Sequence, residues 1–175
     1  MRLVIIGLSG AGKSTFARRL ATARGIPHVE LDALFWEAGW QPARPEVFAA
    51  RVCDATAGPD WVVDGNYSAM RPHVWHRATH LLWLDYARAP IMLRVIRRSA
   101  LRAVLGTPLW NGNRESWRRW LDRDHPIRWA WRQWRPRRRS LEAVLAEDTY
   151  RHLGLRRLRH PREAEAAFRA LAAQA

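Results

Sequence analysis

At 175 residues, with 48% apolar side chains, the chain is long enough for one domain with a full core and too apolar to be intrinsically disordered. Its one cysteine, Cys53, excludes an internal disulfide framework, and no stretch approaches the roughly 18 apolar residues of a membrane span. The net charge of +14 is uneven, because residues 88–140 carry 15 arginines against Glu115, Asp122 and Asp124; a block of that kind favours phosphate-rich partners, whether nucleotide or nucleic acid.

A soluble, cytoplasmic protein without membrane contact is expected, with residues 1–175 forming one domain. Residues 2–6 predict a buried strand, and the apolar opening meets glycines and a lysine with no cleavage site, unlike a signal peptide. Gly7-Leu-Ser-Gly-Ala-Gly-Lys-Ser14 follows, and then a helical pattern over 16–21. This is G-x-x-x-x-G-K-S in the strand–loop–helix setting that a phosphate-binding loop requires. Gly7, Gly10 and Gly12 let the backbone bend so that N–H groups from Ser9, Ala11, Lys13, Ser14 and Thr15 point at phosphate oxygens. Lys13 is also the one lysine among 29 arginines. It is expected to reach the β- and γ-phosphates of ATP, with the Ser14 hydroxyl on Mg²⁺.

Further along, residues 27–31 predict a second strand ending at Asp32, and 45–57 a helix. Residues 61–63 and 80–84 predict a third and a fourth strand, ending at Asp64 and Asp85. A long helix is expected over 89–105, a break over 106–112, and helical segments from Arg114. A last strand over 155–159 precedes Pro161, which opens a terminal helix. Alternating strands and helices imply an α/β fold with a parallel sheet covered on both faces. Ligands of such sheets bind beyond the carboxyl ends of the strands, where Asp32, Asp64 and Asp85 would gather.

The glycine-rich loop, Leu31-Asp32 with Phe35-Trp36, Asp64-Gly-Asn-Tyr67 and Leu84-Asp85 together resemble the P-loop kinases of the adenylate and shikimate kinase type. Closest in pattern are the small bacterial adenylate-kinase-like proteins known as DNA topology modulation proteins. The resemblance spans the whole chain. It implies a three-layer P-loop fold with a five-stranded parallel sheet of order 2-3-1-4-5, and a helical, arginine-rich lid within residues 88–140.

The same likeness gives residues roles. Asp32 resembles the second acid of a D-x-D motif and would orient or deprotonate the acceptor hydroxyl; Glu30, in the first position, would lie near Mg²⁺ through water. A helix N-cap is the other reading of Asp32. Asp85 divides between a metal ligand and a cap for the helix beyond Tyr86. Gly65, Asn66 and Tyr67 resemble the stretch set against the acceptor, or else form an ordinary turn. Arg94 and Arg98, four apart on one helix face, resemble arginines that stack on adenine and contact phosphate, with Arg97 able to stand in for Arg98. Asn111 to Glu115 would deliver Arg114 as a lid arginine to the transition state.

True adenylate kinases have a longer lid, so an AMP acceptor does not follow. In its place Trp110, Trp117, Trp120, Trp129, Trp131 and Trp134 alternate with arginine, as core packing or as a stacking surface for single-stranded nucleic acid. The reading is therefore an ATP-dependent kinase of a small hydroxyl- or phosphate-bearing acceptor such as a nucleoside or nucleotide, using Mg²⁺. The alternative is a nucleic-acid-binding ATPase or polynucleotide kinase. Under the first, Arg137, Arg138 and Arg139 form a solvated outer cluster. Oligomeric state is open.

Overall fold

Short apolar runs become strands that are buried on both faces. The computed structural model describes residues 1–113 and 126–173. Within these, β1 is Arg2–Gly7, β2 His28–Glu30, β3 Trp61–Asp64, β4 His80–Leu84 and β5 Gly154–Leu158. All pair in parallel, in the order β2-β3-β1-β4-β5, as the family resemblance implied. Ile5 lies opposite Asp64, and Gly7 opposite Leu84, so the phosphate-loop strand has β3 on one side and β4 on the other.

Side chains alternate along β1 and split the core in two. Leu3 and Ile5 face one cluster, completed by α1 (Lys13–Arg24), α5 (Arg88–Leu105) and α7 (Pro161–Ala172) through Leu20, Val95 and Ala167. Val4 and Ile6 face the other, completed by α3 (Pro45–Ala55) and α4 (Arg71–Val74) through Phe48, Val52 and Val74. The period of two along the strand thus produces three layers. Helix α6 (Pro126–Leu145) belongs to both clusters, giving Ala130 to the first and Leu141 to the second. No helix among the described residues is long and apolar enough to cross a membrane.

Two expected boundaries shift, with consequences. β2 ends at Glu30, and the short helix α2 (Leu31–Phe35) begins at once. Asp32 therefore stands in the first turn of α2 and not at a strand end, and the cap position belongs to Glu30. The cap of α5 is Ala87, so Asp85 does not cap it either.

The loop after β1 packs directly against α5. At Gly10, with φ of +84°, an added Cβ would lie 2.4 Å from Val95 Cγ2 and 2.9 Å from the Ile91 carbonyl oxygen. Both the left-handed backbone and the close approach require glycine. Gly10→Ala is expected to lower stability by about 2–4 kcal/mol, combining backbone strain with overpacking. Urea unfolding followed by circular dichroism measures this.

Candidate active site

The loop between β1 and α1 wraps around the end of Lys13. Its ammonium donates to the Leu8 carbonyl oxygen at 3.2 Å, and among the described residues it has no other hydrogen bond or ion pair. Burial pushes its pKa below the usual lysine value; Asp64, Asp32 and Glu30 pull it back up, and Arg98 pushes it down. Ser14 Oγ donates to Asp64 Oδ1 at 3.3 Å, while Asp64 Oδ2 meets His28 Nε2 at 2.9 Å. Asp64 is only 2% exposed, so both oxygens of a buried carboxylate are committed to this corner. Thr15, next along α1, is exposed.

Arg98 and Arg94 approach the same loop from α5. Arg98 Nη2 donates to Ser9 Oγ at 2.9 Å. The Arg94 guanidinium lies 5.6 Å from the Tyr86 ring centre, with Nη1 4.0 Å from where a side chain on Gly12 would begin. The i, i+4 spacing thus does bring both to the glycine-rich loop.

On the opposite side, Asp32 Oδ1 accepts a 2.6 Å hydrogen bond from Tyr67. Burial, then the charge and hydrogen bond of Asp32, hold the phenol well above its ordinary pKa, so it remains a donor. The Tyr67 ring packs on Phe35 at 4.7 Å and Phe48 at 5.1 Å. Gly65 permits the chain to pass close to α2, since a Cβ there would lie 2.8 Å from the Leu31 Cβ. Glu30 ends β2 in register with Asp64. Asn66 is held from two directions: Arg137 Nη2 donates to its carbonyl oxygen at 2.6 Å, and Arg71 Nη2 to its Oδ1 at 3.4 Å.

The model of the AAA domain family (AAA_33) matches residues 3–174. The chain belongs to the AAA domain family. Shikimate kinases of Rhodopseudomonas palustris and Nitrobacter winogradskyi are each 33% identical to this AAA-domain chain, over 61% and 60% of its length. The chain spans 59% and 56% of those relatives. Among solved structures, a shikimate kinase from Bacteroides thetaiotaomicron superposes with a TM-score of 0.55 at 14% identity, covering 99% of this chain and 97% of that one. A gluconokinase from Sinorhizobium meliloti 1021 gives 0.50 at 17%, covering 98% and 93%. These likenesses show that this AAA domain has the fold of small P-loop kinases.

Three expectations for the AAA domain change. Asp85 does not join Asp32 and Asp64, and the metal role read for it meets two arginines instead. Its Oδ2 accepts from Arg157 Nε at 2.8 Å and pairs with Arg138 Nη2 at 3.2 Å; Arg157 and Arg138 also engage Glu142. The cluster 137–139 is not an outer one, because Arg137 and Arg138 turn inward and Arg139 alone is exposed. The tryptophans also divide. Trp129 and Trp134 pack against the core, whereas Trp131 is 54% exposed beneath the Arg88 guanidinium. Arg114, Trp117 and Trp120 lie outside the described residues.

His28 and Arg71 were not chosen from sequence, Arg137 was read only as part of the outer cluster, and Asp64 only as one of three acids near the phosphates, without its contact to Ser14. A signal existed for Asp64 alone, an acid closing an apolar strand. His28 and Arg137 depend on contacts with residues 36 and 71 positions away, and Arg71 meets Asn66, five residues before it, only through the turn that follows β3. Arg157→Leu is expected to lower stability by about 1–3 kcal/mol, because Asp85 is left buried with one partner fewer. Thermal melts of the variant and of Asp85→Asn, with and without Mg²⁺ and ATP, measure this. A stability loss with an unchanged response to Mg²⁺ is expected for both.

Proposed function

We propose that the protein is an ATP-dependent phosphotransferase whose acceptor is a small hydroxyl- or phosphate-bearing molecule, with a nucleoside or nucleotide among the candidates. One observation carries the reading. The partly buried Lys13 ammonium has a single backbone partner, facing the charge of Asp64, Asp32 and Glu30. A lysine has three donors, and an incompletely satisfied buried one fits a phosphate ligand. The residues present therefore fit ATP, held by the backbone from Gly7 to Thr15 and by Lys13, with Arg94 and Arg98 alongside.

Ser14 and Asp64 are the hard oxygen donors that would hold Mg²⁺, with Glu30 behind them. No group of three or more His, Cys, Asp or Glu among the described residues could hold a metal alone. Magnesium typically shares its shell with substrate phosphates and water, so a two-donor site suits it. When bound, it would neutralise charge developing on the phosphate oxygens.

Asp32 has one oxygen fixed by Tyr67 and no other partner among the described residues. Its free oxygen is the group that takes the proton of an acceptor hydroxyl, or orients that hydroxyl, while Lys13 and Arg98 offset charge on the transferred group. Arg114 keeps its proposed role as a further arginine at the transition state. Asn66 and Tyr67 bound the acceptor side.

Lys13→Ala is expected to abolish ATP binding while the fold survives. Asp32→Asn is expected to slow transfer by about 10²–10⁴-fold with little change in ATP affinity. Calorimetry with ATP, and turnover in a screen of acceptors with labelled ATP, separate the two effects. Near-normal turnover in Asp32→Asn would remove Asp32 from the chemistry.

A nucleic-acid grip is the second reading, and the outer face of α6 favours it. Arg132, Arg135 and Arg139 are exposed at i, i+3 and i+7, beside the exposed Trp131. For single strands the logarithm of affinity falls with the logarithm of salt at a slope of about −0.7 per phosphate neutralised. Replacing those three arginines by alanine would flatten the slope by about 2 units if they grip an oligonucleotide. Weak binding, lost at physiological salt, is the expected result; tight binding that collapses in the triple variant would favour the second reading.

A further inference from the structure

Arg71 and Arg137 meet at Asn66 in a way that internal packing leaves unsatisfied. Arg71 is 9% exposed. Its hydrogen bond to Asn66 Oδ1 is long, at 3.4 Å, and its buried Nε has no partner. Arg137 spends one N–H on the Asn66 carbonyl oxygen, and the Asn66 side-chain nitrogen is buried without an acceptor. Neither arginine has a carboxylate within ion-pair distance among the described residues. Glu147 influences Arg71 through space, and the aromatic faces of Trp75 and Trp129 lie 5.0 and 5.8 Å from the two guanidiniums.

Two guanidiniums taken partly out of water near each other, neither ion-paired with a carboxylate among the described residues, are expensive. The cost shows in their acidity. Burial lowers the pKa of both, and the charge of Arg71 lowers that of Arg137 further. Their position is equally specific. Asn66 precedes Tyr67, whose hydroxyl holds Asp32, and Arg137 is near enough to Tyr67 to act on its ionisation.

Resting on the phosphotransferase reading, we infer that Arg71, Arg137 and Asn66 form a binding site for a phosphate monoester carried by the acceptor, apart from the oxygen that Asp32 serves. The unsatisfied donors are two planar forks and an amide, which suit an oxyanion with several acceptor oxygens. The charge count selects among oxyanions. A phosphate monoester carries about −1.5 to −2 at neutral pH and balances both arginines, whereas a carboxylate balances only one. The acceptor is then a molecule that already bears one phosphate.

The test measures binding of inorganic phosphate and of acetate to the full chain by calorimetry. The protein is saturated with Mg²⁺ and β,γ-imido-ATP, which fills the glycine-rich loop. Phosphate is expected to bind, acetate at least tenfold more weakly, and Arg71→Gln or Arg137→Gln to weaken phosphate at least tenfold. Arg71→Lys and Arg137→Lys, which keep the charge and lose the fork, should weaken it less than the glutamine variants. Arg139→Gln, on the exposed face, should bind phosphate as the parent does.

Acetate binding as tightly as phosphate would overturn the inference in favour of a carboxylate. Phosphate binding that is the same in the parent, glutamine and lysine variants would mean an adventitious ion only. Absence of phosphate binding in a protein that binds the nucleotide overturns the site and leaves the kinase reading standing. Failure to bind the nucleotide itself overturns the kinase reading. Circular dichroism melts verify that each variant is folded, and the lysine pair decides the matter if the glutamine variants are not.

Discussion

An ammonium group taken partly out of water must be surrounded by negative charge, and Lys13 imposes that constraint on the whole carboxyl edge of the sheet. Asp64, Asp32 and Glu30 come from β3, α2 and β2. The contiguous β2 and α2 lie some thirty residues before β3, and the two regions converge because β3 sits between β2 and β1 in the sheet. The strand order 2-3-1-4-5 is therefore an electrostatic arrangement as much as a packing one. Placing β3 beside β1 puts Asp64 within reach of Ser14, and β2 beyond it supplies His28 to the other Asp64 oxygen.

The second consequence concerns balance. The acids around Lys13 contrast with Arg71 and Arg137, which meet at Asn66. Arginines dominate the chain, yet only some are tied to acids. Arg138 and Arg157 hold Asp85 and Glu142, and Arg19 holds Glu165. Arg71 and Arg137 have no such partner. That contrast, and not the number of arginines, sets Arg71 and Arg137 apart from an ordinary basic surface and is the ground on which an oxyanion site is proposed for them.

Much of the architecture was legible because its signals are local. Strand β4 falls where the apolar run 80–84 put it, and Pro161 opens α7 at the position where its missing N–H is harmless. The glycine-rich loop was legible for the same reason, since its backbone turns demand glycine. What could not be read depends on partners brought together by the fold. Asp85 follows β4 and Asp64 closes β3, both at carboxyl ends of strands, but β5 brings Arg157 beside one and α1 brings Ser14 beside the other. Arg137 and Arg138 looked like part of a solvated run until α6 turned them toward Asn66 and Asp85. Asp32 was expected at a strand end, but the chain turns into α2 one residue sooner.

Helix α6 also changes what a mobile cover can mean in this protein. Ala130 lies in one core cluster and Leu141 in the other, and between them Arg137 and Arg138 are attached beyond the ends of β3 and β4. The helix thus ties together the two halves that lie on opposite faces of the sheet. Lifting it would uncover apolar surface on both sides at once, in addition to breaking the arginine contacts. Elements with many buried apolar contacts open at a higher free energy than exposed loops, so the position of α6 in both clusters weighs against its lifting by itself. Arg137 is carried on this helix, so the packing that holds α6 in both clusters also holds Arg137 at Asn66.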